Sequence, residues 1–333
     1  MKTRTVVLAT RPTGIPVPSN FELVENELQK PEGDQVLVRN QYISVDPYMR
    51  GRMQAGKSYT APFEPGQAMS GGAVGEVEES GCAGFKPGDI VLSNYGWRDR
   101  FVANPAELKK IVPDGIPPQS FLGIMGMPGK TAYYGLLKIG KPKAGETVFV
   151  SGGAGAVGSA VCQIAKIKNC HVVASTGTQE KAKWLIDEAG VDEVIQYSET
   201  TNLGRTVRKK CPNGIDIYYD NVGGDHLQAA LSCMNDFGRV VSCGMISRYN
   251  DTRPAPGPNN LSLIVGRRLK LQGFIISDHP EIDVPCENDY REWIKAGRLT
   301  WKETVVEGIE NAAGAFIGLF SGENFGKMLV KVS

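Results

Sequence analysis

The sequence predicts an α/β protein in which a doubly wound parallel sheet is joined to a smaller β-rich domain. Three observations carry this. From about Thr147 onward, strand-like runs alternate with helical ones, the pattern of βαβ crossovers. A glycine-rich turn, Gly153-x-Gly155-x-x-Gly158, follows the first of these strands and opens a helix. The first ~125 residues hold short β-type runs cut by Gly and Pro, the texture of a small curled antiparallel domain.

Taken in order, QVLVRNQYISV, SGGAVGEVEES and DIVLSNYG read as strands of the first domain, around a turn-rich stretch from Pro47 to Gly66. TVFVSG then reads as a buried strand. AVGSAVCQIAKIKN reads as a helix with Val157, Val161, Ile164 and Ala165 on one face. HVVAST, DEVIQY, GIDIYYD, GRVVSCG and LKLQGFII are further strands, with helices QEKAKWLIDEAG, TNLGRTVRKK and DHLQAALSCMN between them. Six strands suffice for a complete doubly wound nucleotide-binding domain. PEIDVPCENDYREWIKAGRL reads as a helix. ETVVE and KMLVKV read as strands around a helical NAAGAFIGLF, and they either extend the parallel sheet or return to the first domain.

Composition narrows the function classes. The chain has 333 residues with 37 Lys+Arg against 36 Asp+Glu, so no overall field would hold nucleic acid or anionic lipid. A hydrophobic content of 41% with 22% charged residues fits a folded globular chain rather than disorder. The seven cysteines are odd in number and lack a C-x-x-C pair, which reads as reduced thiols in a cytoplasmic setting. The apolar run near the first residues is too short for a secretory signal, and no stretch approaches the ~20 apolar residues of a membrane helix.

The glycine turn points to a dinucleotide. Its first glycine is expected to allow the tight turn, the second the approach of a pyrophosphate, and the third close helix–strand packing. The helix start then offers N–H groups and a positive dipole end to the phosphates. The second strand ends in Ala174-Ser175-Thr176-Gly177-Thr178, without the acid that usually binds the adenosine ribose of NAD, and Lys181 follows. Both features predict NADP. Metal ligands are scarce: Cys82 is the one cysteine before Cys162, and the three histidines begin at His171. No metal is therefore expected. Tyr249 lies in a loop past the strand Gly238 to Cys243, where a neutral phenol could replace a metal as donor to a developing oxyanion.

Six segments are familiar together: Ser44-Val-Asp-Pro-Tyr-Met-Arg50, Met127-Pro-Gly-Lys-Thr-Ala-Tyr133, Gly155-Ala-Val-Gly158, Asp220-Asn-Val-Gly-Gly224, Cys243-Gly-Met-Ile-Ser-Arg-Tyr-Asn250 and Asn324-Phe-Gly-Lys327. Over essentially its whole length the chain resembles the zinc-independent branch of the medium-chain dehydrogenase/reductase superfamily. The likeness is nearest to the leukotriene B4 dehydrogenase, prostaglandin reductase and alkenal double-bond reductase group. The resemblance implies a Rossmann domain over residues 126–297, inserted in a GroES-like β domain formed by residues 1–125 and 298–333. It implies NADPH, a small enone or enal substrate, reduction of the carbon–carbon double bond, and a homodimer. Carried over by position, Gly155, Ala156, Val157 and Gly158 would touch the pyrophosphate, and Lys181 and Tyr197 the 2′-phosphate. Asn221, Cys243, Gly244, Ile246, Ser247 and Tyr249 would line the nicotinamide side, with Phe274, Ile275 and Asn324 completing the cleft. Tyr48 is the candidate substrate contact. The alternatives are a quinone reductase, an allylic alcohol dehydrogenase, and a non-catalytic NADPH-binding protein.

Overall fold

A computed structural model describes residues 1–332, and the chain divides into two compact units: Met1–Gly123 with Glu303–Ser333, and Ile124–Lys302. The first unit is built from β1 (Lys2–Leu8), β2 (Phe21–Glu27), β3 (Val36–Ser44), β4 (Ala73–Ser80), β5 (Ile90–Ser93), β6 (Arg100–Ala103) and β7 (Lys109–Lys110). β1 and β2 form a separate antiparallel ribbon, which the sequence patterning did not reveal. β3 is the hub of the larger sheet, pairing antiparallel with both β4 and β6. Alternation along it sends Val36 and Val38 into one cluster with Val77, Val91 and Phe101. Ile43 belongs to a second cluster with Met49, Met53 and Trp97.

Between β3 and β4 the segment Ser44 to Arg50 turns sharply into α1 (Met49–Arg52). Its polar residues are anchors. Arg50 is 1% exposed and donates from Nε and Nη2 to the Gly14 carbonyl at 3.2 and 2.9 Å. Asp46 is also buried and pairs with the Lys327 ammonium at 3.1 Å.

The second unit begins with α2 (Met127–Tyr134), which widens into a π-helical stretch over Gly135–Gly140. The sequence reading placed no helix here, although Pro128 in the first turn is a start signal. β8 (Thr147–Val150), β9 (His171–Thr176), β10 (Glu193–Gln196), β11 (Ile215–Asp220), β12 (Met234–Ser242) and β13 (Lys270–Gly273) then alternate with helices. Those helices are α3 (Ala156–Ile167), α4 (Gln179–Asp187), α5 (Leu203–Lys210), α6 (Gly224–Leu231) and α7 (Ser262–Gly266), and α8 (Asp283–Lys295) closes the unit. All six strands are parallel, in the order β10-β9-β8-β11-β12-β13. This is the doubly wound order that reverses direction beside its first strand. β8 is buried at every position because both faces of the sheet are covered.

The last elements are β14 (Glu303–Glu307), α9 (Ala312–Gly318) and β15 (Lys327–Lys331). β15 pairs antiparallel with β3, and β14 parallel with β15. Of the two routes the sequence left open, the chain takes the return to the first unit.

Candidate active site

The glycine turn lies between β8 and α3. The left-handed residue of this turn is Gly152, with φ +63°, one position before the first glycine of the spacing. Gly153 has a different constraint: a Cβ there would stand 2.7 Å from the Ala174 methyl of the neighbouring strand. A Cβ on Gly158 would meet the Gly152 carbonyl oxygen at 2.2 Å, so only hydrogen lets the helix close on the turn. Gly155 is the N-cap of α3 and supplies no side-chain cap, leaving the first N–H groups of Ala156, Val157 and Gly158 without an acceptor inside the helix. A helix start stripped of side chains in this way fits a pyrophosphate.

The sheet order reverses between β8 and β11, and the residues just past these two strands are laced together. Asn221 donates from Nδ2 to the Ser151 carbonyl at 2.8 Å, and its backbone N–H donates to Ser151 Oγ at 3.0 Å. Asp220 organises the turn. Its Oδ1 accepts from Tyr218 Oη at 2.7 Å and from the Val222 and Gly223 N–H groups at 3.1 and 2.8 Å. Burial pushes the Asp220 pKa up, while these donors oppose the rise. Sequence reasoning assigned Asp220 no role. The available signal was an acid ending an apolar strand just before a Val-Gly-Gly turn.

The loop after β12 folds back on this turn. Cys243 and Gly244 donate their N–H groups to the Asp220 carbonyl at 2.9 and 3.0 Å, and Ile246 donates to the Asn221 carbonyl at 3.3 Å. Ser247 Oγ donates to the Val222 carbonyl at 2.6 Å. Asn221 and the stretch from Cys243 to Ser247 thus form one hydrogen-bonded surface. Burial pushes the Cys243 thiol up to about 12, with the Tyr219 hydroxyl opposing, so it is a neutral packing group.

A cleft opens beyond the ends of β12 and β13, lined by Cys243, Gly244, Tyr249, Phe274, Ile275 and Asp278 among others. Tyr249 caps the short turn Ile246–Arg248 and accepts the Met245 N–H at 3.3 Å. Its oxygen stands 2.9 Å from where a Gly244 Cβ would be. Phe274 packs against Tyr134 at a tilt, ring centroids 5.4 Å apart and planes 41° to each other.

At the other end of the sheet, Thr178 caps α4 by accepting the Lys181 N–H at 3.3 Å. Burial lowers the Lys181 pKa, with Glu180 opposing. Tyr197 leaves β10 beside this turn: a Cβ on Gly177 would stand 2.8 Å from its oxygen.

The two remaining candidates lie in the first unit. Tyr48 is half-buried at the start of α1, where burial and then Asp46 push its phenol pKa up and Arg52 opposes. Asn324 donates from Nδ2 to the Gly326 carbonyl at 2.9 Å, shaping the turn before β15.

Among the described residues, no group of three or more His, Cys, Asp and Glu could hold a metal ion. No described helix is long and apolar enough to cross a membrane.

A doubly wound sheet with a bare helix N-terminus at its switch point defines a dinucleotide-dependent class of protein. Residues 4–111 match a family described as the N-terminal domain of oxidoreductase, and residues 156–295 one described as zinc-binding dehydrogenase. The NADPH-dependent curcumin reductase of Escherichia coli is 41% identical, covering 100% of this chain and 97% of its own. The NADP-dependent 2-alkenal reductase of Nicotiana tabacum is 41% identical over 98% and 97%. The crystal structure of CurA from Vibrio vulnificus in complex with NADPH superposes with a TM-score of 0.95 at 41% identity, covering 99% of both chains. The chain belongs to the medium-chain dehydrogenase/reductase family of oxidoreductases, zinc-independent type.

Proposed function

We propose that this chain uses NADPH to reduce the carbon–carbon double bond of α,β-unsaturated ketones and aldehydes. The observation that carries it is the Tyr249 phenol at a cleft beyond β12 and β13, joined through backbone hydrogen bonds to the Asn221 turn. The names of the similar curcumin and alkenal reductases support the same reading. NADPH would supply the hydride, delivered to the β-carbon. This chain's part is to hold the pyrophosphate on Gly155 to Gly158 and the 2′-phosphate on Lys181 and Tyr197. Asn221, Cys243 to Ser247, Phe274 and Ile275 are the proposed walls of the remaining cofactor site. Tyr249 O–H would donate to the carbonyl oxygen as negative charge gathers there, before a proton reaches the α-carbon. Tyr48 is our candidate substrate contact.

NADPH consumption across alkenals, enones and quinones, with products identified, tests this. A saturated ketone or aldehyde supports it. An allylic alcohol, or turnover of quinones alone, would replace it with the related reductase readings. Tight NADPH binding with no turnover would make the chain a binding protein.

We further propose a homodimer through β13, an edge strand exposed at all four residues and carrying Leu271, because such an edge can pair with a second copy. Light scattering on purified protein decides it. All seven cysteines are unpaired thiols, which supports a reducing, cytoplasmic setting.

A further inference from the structure

One contact at the adenosine end of the sheet is left unused by this reading. The Tyr197 ring meets the His226 imidazole at a centroid separation of 5.3 Å and an interplanar angle of 87°, an edge-to-face arrangement. His226 comes from the first turn of α6 and is 7% exposed, whereas Tyr197 is 43% exposed. The His226 Nε2 is buried and has no hydrogen-bond partner. Its nitrogen gains nothing from the site, so what the residue supplies is a flat, fixed surface. Burial drives its pKa down to about 4, with Asp225 opposing, and the ring is therefore uncharged near neutrality. It cannot act on an anion through charge. The half-exposed phenol, in turn, stands between this buried ring and the Gly177 backbone, where a Cβ would already crowd it.

We propose that His226 is a positioning residue for cofactor selection, bracing Tyr197 against the Gly177 turn so that the phenol hydroxyl meets the phosphate on the adenosine 2′-oxygen. This rests on the reading of Tyr197 as a 2′-phosphate contact, and the experiment separates the two. Calorimetric titration with 2′,5′-ADP and 5′-AMP is compared for the wild type, Tyr197→Phe, His226→Ala and His226→Phe. His226→Ala and Tyr197→Phe should each weaken 2′,5′-ADP by about 2- to 10-fold, the scale of one aromatic pair or one hydrogen bond, and spare 5′-AMP. Tyr197→Phe combined with His226→Ala should lose no more than the worse of the two single variants. His226→Phe keeps a flat ring and breaks no hydrogen bond, so it should match the wild type. If His226→Ala does not fold, His226→Leu makes the same comparison with the cavity filled. A selective loss in Tyr197→Phe, with no loss or an unselective loss in the aliphatic variants, overturns the role of His226. So does a selective loss in His226→Phe. An unselective Tyr197→Phe instead overturns the reading beneath it.

Discussion

Tyr249 and Gly244 are matched to each other: the phenol oxygen sits where any side chain at position 244 would intrude, and the Met245 N–H steadies it. Tyr249→Phe removes that oxygen alone. Turnover of an enone should fall on the order of 10²-fold, the range of general-acid and oxyanion donors, with NADPH affinity little changed. A variant that keeps more than about half the wild-type rate would place the proton with solvent. Lys181 presents a different case. Its depressed pKa marks an ammonium partly stripped of water, which an anion beside it would stabilise. Lys181→Ala should raise the KM for NADPH about 10- to 150-fold, the worth of a charged hydrogen bond, and leave NADH nearly unaltered. Equal losses with both cofactors would make the lysine structural.

Among the elements, the β8–α3 turn is the least tolerant of change. Gly158→Ala forces a methyl against the Gly152 carbonyl, and overpacking of this kind costs roughly 1–3 kcal/mol. Thermal denaturation should show a lower midpoint and no further stabilisation by NADPH. An unshifted midpoint that still rises with NADPH would contradict the packing argument. This turn also shows how far the sequence could be read. The parallel sheet was legible because its central strands are continuous apolar runs and α3 carries an apolar stripe. The glycine spacing was legible too, but which glycine turns left-handed was not. That depends on the exit direction of β8, and the structure places it at Gly152. The partner of β15 stayed open for a related reason: its pairing with β3 joins residues nearly 290 positions apart, beyond any local pattern. Asp220 was noted as part of a segment but given no role, because its partners are hydroxyls and backbone N–H groups of its own turn.

At the scale of the whole molecule, His226 makes the fold acid-sensitive. Its folded pKa is about 4 against 6.5 for the exposed group, so between these values the unfolded chain binds a proton that the folded chain refuses. Its contribution is complete above 6.5 and is lost as pH falls toward 4, by roughly 3 kcal/mol in all. Urea midpoints at about pH 7.5 and about pH 4.5 should therefore converge in His226→Phe relative to the wild type. Parallel pH profiles would refute this. The pairing of β3 with β15 also orders events at the ribosome. Ile124–Lys302 is one continuous stretch, so all of its strands are on hand once residue 302 has emerged. The sheet around β3, and the Asp46–Lys327 pair beside it, cannot close until residues 303–331 have been made. At ~5–20 residues per second, synthesis of the intervening stretch takes about 10–40 s. Throughout that interval the end of β3 at Tyr42 to Ser44 lacks its partner strand, an open edge exposed to nascent-chain aggregation or chaperone capture. The sheet around β3 is thus completed only by residues that follow the whole second unit in the chain.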